Sequence, residues 1–344
     1  MTAVKGTILV TGANGGLGSA IVEKIVTKPE LSAYHGLYTV RDATAAPALT
    51  STLARGTSSH ANDVLSLDLT KLDNVRQVAE SINARVSTGQ IPPIRALILN
   101  AGFLEFGKQS WTDDGLDVTF AANYLGHWLL TILLLKSIDK DAGRIVVVGS
   151  QSHDPNDERN ASGKAFEEER YKIFVRDEAD FEAIAKGAWS SAEEDSSWRS
   201  GFRRYGAAKL FLVMMMHELQ RRLDQDPELK NICVLGVDPG GMITGFQRHA
   251  PWVIRVLVFK IIYPIIVYLY PNGRMVRPPP RSAADVLEAA FGSSSAGLPK
   301  DLYFDGTERM ETSAESKDAR KRDFVWRETA KYAHLKEGDM ILGD

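Results

Sequence analysis

From Thr7 to Gly149 the chain repeats one rhythm, a short β-rich apolar run followed by a stretch with helical periodicity. The runs are Thr7–Thr11, Gly36–Val40, Val64–Asp68, Arg95–Leu99 and Arg144–Gly149, and the helical stretches include Gly16–Thr27, Asn74–Val86 and Gly115–Ser137. Strands separated by helices cannot close as hairpins; they align in parallel and need cover on both faces. The spacing therefore predicts an α/β fold built on a doubly wound parallel sheet. After Ser150 the rhythm stops. Residues 151–203 are polar and acidic, with Phe166, Tyr171, Trp189 and Trp198 scattered among them. A structureless loop of that length does not suit a compact domain, so an ordered insertion with some helix is expected. Alternation resumes with a helix over Tyr205–Asp224, a strand over Ile232–Val237, a helix over Ser282–Phe291, a strand over Leu302–Phe304 and a helix over Ser316–Tyr332. Neither an internal repeat nor a Gly/Ser linker interrupts it, so residues 1–344 read as one domain.

Composition narrows the class. With 44% hydrophobic and 25% charged residues the 344-residue chain can bury a large core, and its net charge of −3 offers no overall field for nucleic acid. The single cysteine, Cys233, lies in an apolar run and has no internal partner for a disulfide. No signal peptide is read at the N-terminus, and together these features point to a reducing, cytoplasmic setting. The seven histidines show no metal-ligand spacing, so no metal is expected.

The first strand runs into Thr11-Gly12-Ala13-Asn14-Gly15-Gly16-Leu17-Gly18. Glycines at a strand-to-helix turn let backbone amides approach a pyrophosphate, with the helix N-terminus favouring its charge. Further along, Tyr205 and Lys209 are four apart and share a helix face. A free phenol titrates near ~10, and proton exchange near neutrality asks for ~7, which is roughly 4 kcal/mol of preferential phenolate stabilisation. A neighbouring ammonium is one source of it.

The order TGxxxGxG, then Asn100-Ala101-Gly102, Asn123, Ser150, Tyr205-xxx-Lys209 and Pro239-Gly240-xx-Ile243-Thr244 resembles the short-chain dehydrogenase/reductase family. The resemblance spans residues 11–244 and extends to retinol-dehydrogenase-like, carbonyl-reductase-like and fungal secondary-metabolism members. It implies a Rossmann-type sheet and hydride transfer between a nicotinamide cofactor and a carbonyl or alcohol carbon. It also implies a catalytic tetrad, with Tyr205 as the proton donor in reduction, Lys209 lowering its pKa and holding the ribose, Ser150 bonding the substrate oxygen, and Asn123 holding a water that leads to solvent. The cofactor would rest on Gly12, Asn14, Gly15, Gly16, Leu17 and Gly18, on Asp68 and Leu69 at the adenine, and on Asn100, Ala101 and Gly102. Tyr205, Lys209, Pro239, Gly240, Ile243 and Thr244 would hold its nicotinamide end. Cofactor choice turns on the end of the second strand. Val40 stands where an NAD-type carboxylate belongs and Arg41 follows, which favours NADP(H) over NAD(H). A two-residue slip in register would make Asp42 the selector instead.

Two departures qualify the resemblance. The insertion at 151–203 separates Ser150 from Tyr205, and it reads either as a cover for the substrate or as a surface elaboration. In monomeric carbonyl reductases an insertion here blocks helix-to-helix assembly, so a monomer or homodimer is expected rather than a tetramer. Within the apolar region 251–292, Trp252–Pro271 is long enough to suggest a membrane helix, but Arg255, Lys260 and Pro264 interrupt it. A wall of an apolar pocket ranks first, interfacial membrane contact second and a true span last. The substrate is then a largely apolar small molecule. Two other readings compete: a family member doing non-redox chemistry such as isomerisation or cyclisation, and a dinucleotide-sensing regulator.

Overall fold

The structure, a computed structural model, describes residues 4–56, 60–242, 261–269, 273–293, 297–336, 338–339 and 341–342. Its strands are β1 (Thr7–Thr11), β2 (His35–Val40), β3 (Asn62–Ser66), β4 (Ile94–Leu99), β5 (Arg144–Val148), β6 (Cys233–Asp238), β7 (Leu302–Asp305) and β8 (Glu308–Arg309). They form one sheet in the order β3-β2-β1-β4-β5-β6-β7-β8, with every pairing parallel except that of the short β8 with β7. Winding starts at β1, runs outward to β3, and then continues from β4 on β1's other side. The crevice above β1 and β4 is the switch point where such sheets bind ligands.

Strand alternation divides the core in two. Ile8, Val10, Ile98, Val146 and Val237 pack with α1 (Gly16–Thr27) and α2 (Pro47–Leu53) on one face. Leu9, Leu97, Leu99, Ile145 and Val147 pack on the other with α3 (Leu72–Ser87), α4 (Val118–Ser137) and α5 (Trp198–Gln225). Helix α4 is long and apolar enough to cross a membrane, but 94% of its apolar window is buried in the protein, as in a core helix. Asp117 caps it by accepting from the amides of Thr119 and Phe120. Its second turn, Ala121–Leu125, is wound as a π-helix, a device that often marks functional sites.

The insertion is ordered, as its length within one domain led us to expect. It contains short helices at Glu158–Ala161 and Glu178–Ala185 and brings Phe166, Tyr171, Phe174 and Phe181 into the core. Phe181 stacks on Phe211 of α5 at 5.3 Å, and Phe174 stacks on Trp189. Helix α5 starts at Trp198, seven residues before the sequence pattern placed it, because Ser197 caps it and the polar first turns pack against the insertion. The C-terminal helix is also corrected: it breaks at Asp318, which caps α6 (Ala319–Tyr332) after a separate turn at Ala314–Lys317.

Arg204 ties the insertion to the fold. Its guanidinium donates to the carbonyls of Ser190 and Lys108, both at 2.6 Å, and pairs with Asp117 at 3.2 Å, with Arg204 and Asp117 nearly inaccessible to solvent. Burial pushes the Asp117 carboxyl up, and Arg204 works against that. Replacing Arg204 with Met leaves this carboxylate and two carbonyls without their partner. A loss of about 3 kcal/mol or more is expected in denaturant unfolding; a loss under about 1 kcal/mol would show that Arg204 does not anchor the insertion.

Candidate active site

The loop between β1 and α1 lies against the end of β4. Gly12 adopts φ +67, and a Cβ there would come within 2.8 Å of the Ala101 Cα. At Gly18 a Cβ would sit 2.2 Å from the Gly12 carbonyl oxygen, so neither position accepts a larger residue. Gly15 caps α1 without any side-chain bond, leaving its N-terminal amides facing the cleft, as a phosphate site needs.

The Thr11 hydroxyl oxygen accepts from the amides of Asn100 and Ala101, both at 2.9 Å. The hydroxyl also donates to the Ile98 carbonyl at 3.4 Å and is hydrogen-bonded to His127 Nε2 at 3.0 Å. Burial, aided by the Lys209 charge, drives His127 down to about 3, so the ring is neutral. His127 Nδ1 in turn lies 3.4 Å from the Asn123 carbonyl. His127 was given no role on sequence, yet it links the glycine loop to the helix that carries Asn123.

Around the far end of the cleft, Asn14 accepts from the Leu49 amide at 3.0 Å and fixes α2 beside the loop. Arg41 follows the last residue of β2, lines the cleft, and has no hydrogen bond or ion pair among the described residues. The Asp42 carboxylate turns to the Thr44 amide at 2.8 Å and hydroxyl at 2.6 Å, which holds it below the usual carboxylate range. Asp68 lies two residues beyond β3 rather than at its end; it accepts from Thr70 N and Oγ1 and lines the cleft with Leu69. Gly16, Leu17, Asn100, Ala101 and Gly102 complete this side.

Ser150, Tyr205 and Lys209 meet just past β5. Ser150 is hydrogen-bonded to the Tyr205 hydroxyl, and its Oγ also accepts from Ser152 Oγ at 3.1 Å. Lys209 donates to the Val148 carbonyl at 2.8 Å, and its Nζ lies 5.5 Å from the centre of the Tyr205 ring. Burial, and then the Asp238 charge, raise the Tyr205 phenol above its ordinary value, while the bond to Ser150 opposes them. Burial lowers Lys209 to about 8, and Asp238 resists that shift. The Asn123 side chain is fully committed elsewhere. It accepts from the Phe103 amide at 2.9 Å and donates to the Phe103 and Thr119 carbonyls at 2.9 and 2.8 Å. Its amide group therefore braces the loop after β4 and has no free donor for a water.

Pro239 and Gly240 line the cleft after β6, with Gly240 at φ +72, whereas Ile243 and Thr244 lie outside the described residues. Of Trp252–Pro271 the structure describes 261–269, with a helix at Tyr263–Leu269. Tyr263 lines the cleft, but Ile262 is 39% exposed and is not the residue that reaches it. The whole cavity has a volume of about 1180 Å³ and extends from Arg41 to Leu104, Phe106, Trp198 and Phe202. Arg159, Asn160, Ser162 and Gly163 of the insertion also line it. Arg159 pairs with Asp238 at 3.1 Å. Sequence reasoning singled out neither residue, because no local pattern links positions 159 and 238.

The chain resembles known proteins in sequence and in fold. The short chain dehydrogenase family profile matches residues 6–161. A short-chain dehydrogenase, iccH, of Talaromyces variabilis is 44% identical over 98% of each chain. The WW domain-containing oxidoreductase of Gallus gallus is 26% identical over 93% of this chain and 66% of its own. Among solved structures, an angucycline C-6 ketoreductase, LanV, with bound NADP superposes with a TM-score of 0.56 at 18% identity, over 88% of this chain and 95% of its own. An NADPH-bound carbonyl reductase from chicken fatty liver gives 0.57 at 15% identity, over 90% and 99%. With 44% identity to one such dehydrogenase over 98% of each chain, the chain belongs to the short-chain dehydrogenase/reductase family.

Proposed function

We propose that this chain is an NADP(H)-dependent oxidoreductase that interconverts a carbonyl and an alcohol on a largely apolar small molecule. The observation that carries this reading is the convergence of Ser150, Tyr205 and Lys209 in one cavity that continues to the glycine loop. The residues present fit the dinucleotide. The glycines leave room for a pyrophosphate at the start of α1. Arg41 is free at the rim while Asp42 is occupied by Thr44, which favours a 2′-phosphate over bare ribose hydroxyls. Two neighbours described with NADP or NADPH support the same choice. Bound NADPH would supply the hydride. Tyr205, kept protonated by its surroundings, gives its proton to the substrate oxygen as charge develops there, and Ser150 bonds that oxygen. Lys209 supplies the positive charge that steadies the resulting phenolate and can reach the cofactor ribose. Asn123 acts by bracing the loop after β4 beside the site.

Leu104, Phe106, Trp198, Phe202 and Tyr263 give the substrate side an apolar surface, so the insertion serves as a substrate wall and the described part of the 251–292 region adds to it. A secondary-metabolite carbonyl suits such a site and the likeness to a fungal relative.

Tyr205→Phe is expected to bind NADPH nearly as the wild type does and to lose roughly 10²–10⁴-fold in ketone turnover. Turnover above about a tenth of wild type would remove Tyr205 from the proton-donor role. Arg41→Ala is expected to weaken NADPH binding by roughly tenfold or more, the scale of one charge-assisted contact, with little change for NADH. Equal losses for both cofactors would place the 2′-phosphate elsewhere.

A further inference from the structure

Two carboxylates meet out of water at the carboxyl edge of the sheet. Asp238 ends β6, Asp305 ends β7, the register pairs them directly, and both are buried. Like charges so placed repel and need cations. Arg277 donates to Asp305 and to the Asp238 carbonyl, and Arg274 donates to Asp305. The Asp238 carboxylate itself is met by a cation from the insertion: Arg159 Nη1 lies 3.1 Å from Asp238 Oδ2 and 3.4 Å from Asp305 Oδ2. Asp157, two residues earlier, aims this guanidinium, accepting from Nε at 2.9 Å and from Nη2 at 2.7 Å. Among the described residues, Asp238 Oδ2 and Arg159 Nη1 form no hydrogen bond, so their contact is one of charge alone.

The groups that face Asp238 come from every element packed on it. The insertion brings His153, Asp157 and Arg159; β7 brings Tyr303 and Asp305; residues 274 and 277 bring two arginines; α5 brings Tyr205 and Lys209. Asp285 adds a further carboxyl behind Arg277.

We propose that Arg159 is a positioning residue for proton transfer: by clamping Asp238 it sets the charge beneath Tyr205 and Lys209, and so makes the insertion part of the catalytic apparatus. The inference rests on the roles given to that pair above. An ionised Asp238 favours the Lys209 ammonium and opposes the Tyr205 phenolate; burial and Asp305 push its carboxyl up, and Arg159 is the cation that most opposes this and keeps it charged. Lys209, lowered to about 8 by its burial, is the group on which the balance can be read.

The test follows Lys209 by NMR in protein labelled with carbon-13 at lysine Cε, with its signal assigned by loss in Lys209→Met. The midpoint near 8 is expected to fall by about one unit in Asp238→Asn, to fall likewise in Arg159→Leu because the buried carboxyl loses the cation that keeps it charged, and to stay in place in Arg159→Lys. Asn keeps the shape of Asp238 and the bond from the Gly240 amide, so that variant reads the carboxylate even if Arg159→Leu folds poorly. An unmoved midpoint in Asp238→Asn, or one that rises or stays in folded Arg159→Leu, overturns the proposal. The pH profile of NADPH-dependent ketone reduction is expected to shift in the same order as the midpoints. Profiles that coincide while the midpoints move overturn the catalytic part of the inference. A wild-type protein without ketone turnover would instead overturn the redox reading beneath it, because the NMR titration needs no substrate.

Discussion

Parallel strands stop together, and that constraint organises the whole site. Gly12 follows β1, Arg41 follows β2, Asn100 follows β4 and Pro239 follows β6, while Ser150 lies two residues past β5. Each sits at the carboxyl edge because a parallel sheet sends every chain reversal of one polarity to that edge. The register fixes their spacing, and the helices that return the chain bring Tyr205 and Lys209 up from one face and α1 from the other. Thr11 shows how tightly the edge is held. One hydroxyl joins β1 to the first two amides after β4 and, through His127, to the helix with the π-turn behind them.

Burial does opposing work around this edge. It raises the Tyr205 phenol and lowers the Lys209 ammonium, so both groups are biased toward their neutral forms. Asp238 pushes the phenol in the same direction and the lysine in the other. A neutral phenol suits proton donation to a carbonyl oxygen. The reverse reaction needs the phenolate and therefore an added positive charge near the ring, which an oxidised nicotinamide would provide.

Much of this was legible in the sequence. Strand–helix alternation disclosed the sheet, and the ordered series from Thr11 to Gly240 disclosed the cleft, because local backbone demands at strand ends leave marks such as Gly12 and Gly18. What escaped notice was set by tertiary contact. Helix α5 gains its first two turns from packing on the insertion, not from periodicity. Asn123 carries a recognisable position, but its side chain is spent on Phe103 and Thr119. Arg159 and Asp238 lie 79 positions apart in the numbering and show no pattern that joins them before the insertion folds.

The central claim is that hydride passes at this cleft between a nicotinamide and a ketone carbon. NADPH carrying deuterium on a single face of nicotinamide C4, offered with ketones from cyclohexanone to phenanthrenequinone, tests it most directly. The expected result is an alcohol bearing deuterium on its carbinol carbon from one labelled face and none from the other, with the transfer lost in Tyr205→Phe. Products that carry no label from either face, or a label that enters equally well without Tyr205, would contradict the account.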